Sequence, residues 1–170
     1  MYKLLIALAV LLSPLSFVTA QEAIENLGFV QAPIWFDKEP FFSGDTVRIY
    51  TVLANSTAYD FSGTVAFYDG SKRIGGSQVK LSRNGGSQVV WVDWTPTEGS
   101  HDVSASLENV TISKPGEAPR SVTLAQAKTE GKETYVDIDT DKDGMGNKED
   151  DDDDGDGIAD SKDEAPLDPK

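Results

Sequence analysis

The stretch that decides the fold is Thr46-Val-Arg-Ile-Tyr-Thr-Val-Leu-Ala54. In an extended chain successive side chains point to opposite faces, so this stretch separates into two sets. One face carries Val47, Ile49, Thr51 and Leu53, and the other carries Arg48, Tyr50 and Val52. β-Branched and aromatic residues at this spacing predict a strand with one buried face.

Similar short segments, separated by turn residues, occupy the chain from about Gly28 to Lys128, and helical periodicity is absent there. Asp69-Gly70 predicts a tight hairpin, and Gly75-Gly76 predicts a bulge in the strand that follows it. This spacing is typical of an all-β, immunoglobulin-like β-sandwich of about seven strands. The predicted strands are Phe29 to Phe36, Thr46 to Ala54, Gly63 to Tyr68, Arg73 to Leu81, Ser87 to Trp94, His101 to Thr111, and Ser121 to Ala127.

Residues from Ser43 to Leu107 resemble the cell-adhesion-related domain of bacteria known as CARDB, and its immunoglobulin-like relatives. The resemblance rests on Gly44-Asp45-Thr46-Val47, a strand ending at Asn55, Phe67-Tyr68-Asp69-Gly70, Val92-Asp93-Trp94-Thr95-Pro96, Gly99 and Asp102-Val103. It implies a structural or adhesive spacer rather than an enzyme, with Trp94 packed on the core.

The N-terminus has the features of a secretory signal. Lys3 precedes an apolar run from Leu4 to Leu12, and Val18-Thr19-Ala20 supplies a cleavage site. We therefore expect residues 1–20 to be removed and the mature chain to be secreted or held at the cell surface. A membrane anchor is the alternative, but the run is shorter than the roughly 20 residues needed to span a bilayer. The chain of 170 residues has no cysteine, which excludes disulfides and thiolate metal sites.

Negative charge is concentrated at the C-terminal end. Residues 137–170 hold 15 of the 29 acidic residues and four of the 15 basic ones, a net charge of −11 out of −14 for the chain. Such a segment repels nucleic acids and anionic membranes and attracts cations. The predicted organisation is a signal at 1–20, a sandwich at 21–128, a linker at 129–136 and an acidic tail at 137–170.

The tail contains two Asp-rich loops in tandem, the first starting at Asp139 and the second at Asp152. Calcium takes six to eight oxygen ligands, and a loop with Asp at positions 1, 3 and 5 and Gly at position 6 can wrap around it. The seventh position offers a backbone carbonyl, and the ninth and twelfth offer side-chain oxygens. The predicted ligands in this order are Asp139, Asp141, Asp143, Met145, Asn147 and Asp150, then Asp152, Asp154, Asp156, Ile158, Asp160 and Asp163.

The tail has two other interpretations. Starting the second loop at Asp150 also gives Asp, Asp, Asp, Gly, but it places Ile158 and Ser161 at the ninth and twelfth positions, where ligands are needed. The tail could also be a disordered acidic segment, as runs of like charge often are. Two concordant loops favour calcium, with at least two Ca²⁺ ions as a folding cofactor and the disordered form as the calcium-free state.

The second loop, with its Asp-x-Asp-x-Asp-Gly-Ile-x-Asp-x-x-Asp pattern followed by Ala165-Pro-Leu-Asp-Pro169, resembles the thrombospondin type 3 repeat. The resemblance implies a structure that wraps calcium with almost no hydrophobic core and holds more than one ion per motif. The first loop departs from the pattern at Met145 and Asn147, and the cysteines of the animal repeats are missing. Flanking or intervening helices, which EF-hands and dockerins require, are not predicted.

These observations predict a calcium-binding structural or adhesion protein that is not an enzyme, with cell-surface proteins or glycans as partners. His101 is the single histidine, so a histidine-based catalytic site has little to build on. A carbohydrate-binding module using Trp35, Trp91 or Trp94 is the alternative function. A third interpretation is that the chain is the N-terminal part of a longer surface protein.

Overall fold

The computed structural model describes residues 23–30 and 34–169, so the predicted signal at residues 1–20 lies outside the described part. Within this part, no helix is long and apolar enough to cross a membrane. The described chain forms ten strands: β1 (Ile24–Phe29), β2 (Trp35–Phe36), β3 (Val47–Asn55), β4 (Asp60–Asp69), β5 (Lys72–Leu81), β6 (Gly86–Trp94), β7 (Gly99–Ser113), β8 (Arg120–Ser121), β9 (Leu124–Gln126) and β10 (Lys132–Val136).

The strands form two packed sheets, which confirms the predicted all-β sandwich. In the first sheet, β3 pairs with β1, β2 and β6, and β9 pairs with β1. In the second, the order is β10-β7-β4-β5, and β8 adds to β7. Apolar side chains from the inner faces of both sheets form one core, because each sheet can exclude water from one face only by packing on the other.

Strand β3 has the two faces that its sequence predicts. Val47, Ile49, Thr51 and Leu53 are fully buried, whereas the side chains between them are half-buried. β3 pairs with β6 along its whole length and also with β1 and β2, so it lies within its sheet rather than at an edge.

The hairpin is also present, and the strand after it carries a bulge one residue before the predicted Gly75-Gly76. The turn between β4 and β5 is Gly70-Ser71, flanked by the pair Asp69 and Lys72, and Gly70 has a positive φ of 54°. The pairing register shifts between Gly75 and Arg73, which leaves Ile74 as the extra residue of a bulge.

Two predicted strands are divided in the structure. The predicted strand from Phe29 to Phe36 is wrong, because β1 ends at Phe29 and β2 covers Trp35–Phe36, with residues 31–33 outside the described part. The predicted strand from Ser121 to Ala127 is split because the chain changes sheets, with β8 pairing to β7 and β9 pairing in parallel to β1.

The predicted linker at residues 129–136 is wrong for its second half. Lys132–Val136 forms β10, which pairs antiparallel with β7 from Val103 to Gly99. Val136 is fully buried in the core. The polar composition of this segment hides a strand because its alternate residues lie at the edge of the sheet, facing solvent. The acidic tail therefore starts directly from the sandwich.

Candidate metal centre

The structure brings together the carboxylates at positions 1, 3 and 5 of each predicted loop. Asp139, Asp141 and Asp143 each place a carboxylate oxygen within 4.8 Å of the others. Asp152, Asp154 and Asp156 do the same. Both groups consist only of oxygen donors on one tight turn, so each could hold a metal ion.

The same hydrogen bonds, from backbone N–H groups to Asp carboxylates, are present in both loops. The N–H of Gly144 donates to Asp139 Oδ2 at 3.1 Å, and that of Gly157 donates to Asp152 Oδ2 at 3.0 Å. In each loop the fifth-position N–H also donates to the third-position carboxylate, and the seventh-position N–H donates to the fifth. Gly144 and Gly157 have φ of 98° and 90°, which only glycine adopts without strain. The repeat predicted from the sequence is therefore also a repeat in backbone geometry.

The ninth-position side chains close the loops on themselves. Asn147 Oδ1 accepts hydrogen bonds from the N–H and the hydroxyl of Thr140, both at 3.1 Å. In the second loop, Asp160 Oδ1 accepts from the N–H of Asp153 at 3.0 Å. In each loop, Oδ1 of the ninth residue thus bonds to the second residue and links the late part of the loop to its start.

The remaining predicted ligands are at positions 7 and 12. The side chains of Met145 and Ile158 are exposed, as expected if these residues offer only a backbone carbonyl. The twelfth-position carboxylates of Asp150 and Asp163 each accept from the N–H two residues further along, at 3.0 and 2.9 Å. Each twelfth position thereby also fixes the start of the segment that follows it.

Asp154, the third residue of the second loop, is an ionisable group in a buried setting. Its side chain is buried, with only 5% of the residue exposed, and its Oδ2 has no hydrogen-bond partner. Burial raises the pKa of Asp154, and the charges of Asp156, Asp163 and Asp152 raise it further, against the opposing hydrogen bond from the N–H of Asp156. A buried carboxylate oxygen without a partner is costly, and a bound cation would remove the repulsion and supply the missing interaction.

Asp153, the second residue of the second loop, is an acidic residue that the predicted ligand set does not include. Burial raises the pKa of Asp153, followed by the charges of Asp160, Asp150 and Asp137. Asp153 occupies a second position, where the loop pattern demands no ligand. Asp137 is also outside the predicted set, although it precedes Asp150 by the same spacing that separates the two loops. The repeat period alone could have pointed to Asp137.

His101 lies at the start of β7 and is engaged on both sides of its ring. Nδ1 is 2.7 Å from Asp69 Oδ2, and Nε2 is 2.8 Å from the carbonyl oxygen of Thr97. The ring also contacts the edge of Trp94, with centroids 5.1 Å apart. These contacts tie the β4–β5 turn and the β6–β7 connection together, which is a structural role.

The tryptophans are placed on both sides of the first sheet. Trp94 is buried at 6% exposure, whereas Trp91 is 46% exposed, so the two residues face opposite sides as their spacing predicts. On the outer face, Trp35 stacks on Tyr50 at 5.5 Å, and Arg48 lies 3.9 Å from the centre of the Trp91 ring. Sugars stack on open aromatic faces, and these contacts cover one face of each of these three rings.

The sequence matches no protein-family model and no curated protein.

Proposed function

We propose that this is a secreted structural protein that binds calcium through its two acidic loops and uses at least two Ca²⁺ ions to hold its tail in an ordered form. The sandwich and its stiffened tail would act as an adhesive or spacing module at the cell surface. The observation that carries the proposal is Asp154, a buried carboxylate whose Oδ2 has no partner, next to Asp152 and Asp156.

The donor set favours calcium over other metals. Every candidate side-chain ligand is an oxygen, and the chain has no cysteine. Its single histidine is bonded to Asp69 and Thr97 instead. Hard oxygen sites suit calcium and magnesium, but magnesium keeps several waters and needs strict octahedral geometry. A loop with three converging carboxylates and further oxygens at positions 7 and 12 fits the higher coordination number of calcium.

Calcium would act on folding rather than on chemistry. The tail has 15 carboxylates and only four basic residues in 34 positions, and it buries little apolar surface. Self-repulsion opposes the compact form, and each divalent ion bound to that form stabilises it by mass action. Within the compact form, the hydrogen bonds of each loop hold the carboxylates close together, where an ion can bind them.

A carbohydrate-binding function is the second candidate, favoured by the exposure of Trp91, which is paired with Tyr50 as Tyr50 is paired with Trp35 across the first sheet. The contacts of Arg48 and Tyr50 on these rings leave less open aromatic face for a sugar. Binding of the protein to a glycan array, with loss of that binding in Trp91→Ala, would establish this candidate.

Calorimetric titration of the chain from Gln21 onward with calcium, together with circular dichroism, tests the main proposal. We expect at least two ions to bind and the tail to become ordered. The double substitution Asp154→Ala, Asp156→Ala should remove one ion and leave the first loop able to bind. The proposal is refuted if millimolar calcium produces neither heat of binding nor ordering of the tail.

A further inference from the structure

The first loop is attached to the sandwich without an intervening linker. β10 ends at Val136, which is buried and pairs with Gly99. The next residue, Asp137, forms a parallel bridge with Phe42, and its carbonyl oxygen accepts a hydrogen bond from the N–H of Ser43 at 2.7 Å. The backbone of Asp137 is thus fixed to the end of the sandwich.

The turn that receives Asp137 is itself well held. Asp45 Oδ2 accepts from the N–H of Phe42 at 3.1 Å and from Lys38 Nζ at 2.9 Å. The N–H of Asp45 donates back to the carbonyl oxygen of Phe42 at 3.0 Å. Residues of the predicted Gly44-Asp45-Thr46 motif therefore shape the surface on which the tail is anchored.

The side chain of Asp137 continues into the first loop. Its Oδ2 accepts from the N–H of Lys148 at 3.0 Å, and its Oδ1 accepts from the N–H of Ile138 at 2.9 Å. A Cβ on Gly146 would lie 2.6 Å from Oδ2 and 2.8 Å from the Cβ of Asp137. Gly146 has no positive φ, so a glycine is needed there for this close approach and not for backbone conformation.

The second loop provides an internal comparison. Its eighth position is Ala159, where the first loop has Gly146. An alanine is therefore compatible with the loop itself, and the glycine of the first loop is explained by Asp137. Lys148 adds a further contact, with Nζ 4.5 Å from the centre of the Tyr135 ring of β10.

The second loop is held to the first one. Asp141 of the first loop lies so close to Gly155 that a Cβ there would be 2.7 Å from Asp141 Oδ2. The contacts of Asp137 and Asp141 therefore run in series, from the sandwich to the first loop and from the first loop to the second.

We propose that Asp137 is a positioning residue that couples the first calcium loop to the sandwich, so that an ion in this loop stabilises the sandwich end. This inference rests on the proposed calcium-binding function. Because Asp137 bonds to Ser43 on one side and to Lys148 on the other, ordering of the loop restrains the β10 end. Linkage is reciprocal, so the folded sandwich in turn raises the calcium affinity of the first loop.

Two separate probes report on the two parts. Trp35, Trp91 and Trp94 all lie in the sandwich and the tail has no aromatic residue, so tryptophan fluorescence follows the melting of the sandwich alone. From Gln21 onward, Met145 is the only methionine, so its ¹³C-labelled methyl group reports calcium binding in the first loop by NMR.

The decisive variant is Gly146→Ala, with Ala159→Gly as the matched control. We expect calcium to raise the melting temperature of the sandwich in the parent chain and in Ala159→Gly. In Gly146→Ala most of this rise should be lost, and the Met145 titration should weaken on the order of tenfold or more. If Gly146→Ala does not fold, Asp137→Ala removes the acceptors for the N–H groups of Lys148 and Ile138 and should give the same pattern.

The outcomes separate this inference from the function on which it rests. If Met145 titrates but calcium leaves the sandwich melting unchanged in the parent chain, calcium binding stands and the coupling is refuted. An unchanged rise in Gly146→Ala and Asp137→Ala also refutes it. If calcium affects neither probe and gives no heat, the proposed function itself is wrong.

Discussion

Replacing Val136 with alanine tests whether the segment before the tail belongs to the core. Val136 is fully buried at the end of β10. The substitution removes two methyl groups, about 1.6 kcal/mol of transfer free energy at roughly 0.8 kcal/mol per group. The cavity that remains adds to this, so we expect a loss of about 2–3 kcal/mol in the free energy of unfolding. For a sandwich of this size the melting temperature should fall by roughly 10 °C.

The assay is thermal unfolding in calcium-free buffer, followed by tryptophan fluorescence. Val89→Ala is the matched control, because it removes the same groups from a residue of β6 that is 51% exposed. Its effect should stay within about 0.5 kcal/mol.

Equal and small shifts for the two variants would refute the assignment of β10 to the sandwich and would restore a linker at residues 129–136. A large shift for Val136→Ala alone would place the boundary of the sandwich at Val136, directly before the first loop.

Other predictions concern the tryptophans and the acidity of the tail. Trp94→Ala should destabilise the sandwich by about 3–5 kcal/mol, because Trp94 is buried. Trp91 is exposed, so Trp91→Ala should cost about 1 kcal/mol or less. Urea unfolding measures both free energies, and similar costs would contradict the faces assigned to the two tryptophans. Because the pKa values of Asp153 and Asp154 are raised in the folded tail, that form binds protons which the unfolded form releases. This stabilisation is fully present below the ordinary pKa of 3.8 and is lost as the pH rises through the raised values. The calcium-free tail should therefore resist proteolysis better at pH 4 than at pH 7. Calcium affinity should be lower at pH 4, because protons then compete for the carboxylates. Tail proteolysis that does not change with pH would contradict the first part, and calorimetry at both values checks the second.

The sequence by itself determined the features that depend on local periodicity. The alternation in β3 requires only that successive side chains of a strand point in opposite directions, and the opposite orientations of Trp91 and Trp94 follow from the same rule. The register of the loops also follows from local geometry, since Gly144 and Gly157 stand where the backbone must adopt a positive φ. Each of these features is fixed within a single strand or a single loop.

Only the tertiary structure decided where the sandwich ends and how the tail is attached to it. β10 has a polar sequence, and it is a strand because it pairs with Gly99 to Val103, which belong to a distant part of the chain. The contact of Asp137 with Ser43 likewise depends on a distant partner. Pairing and burial are properties of the packed chain, so no local pattern could reveal that the acidic tail is anchored to the sandwich.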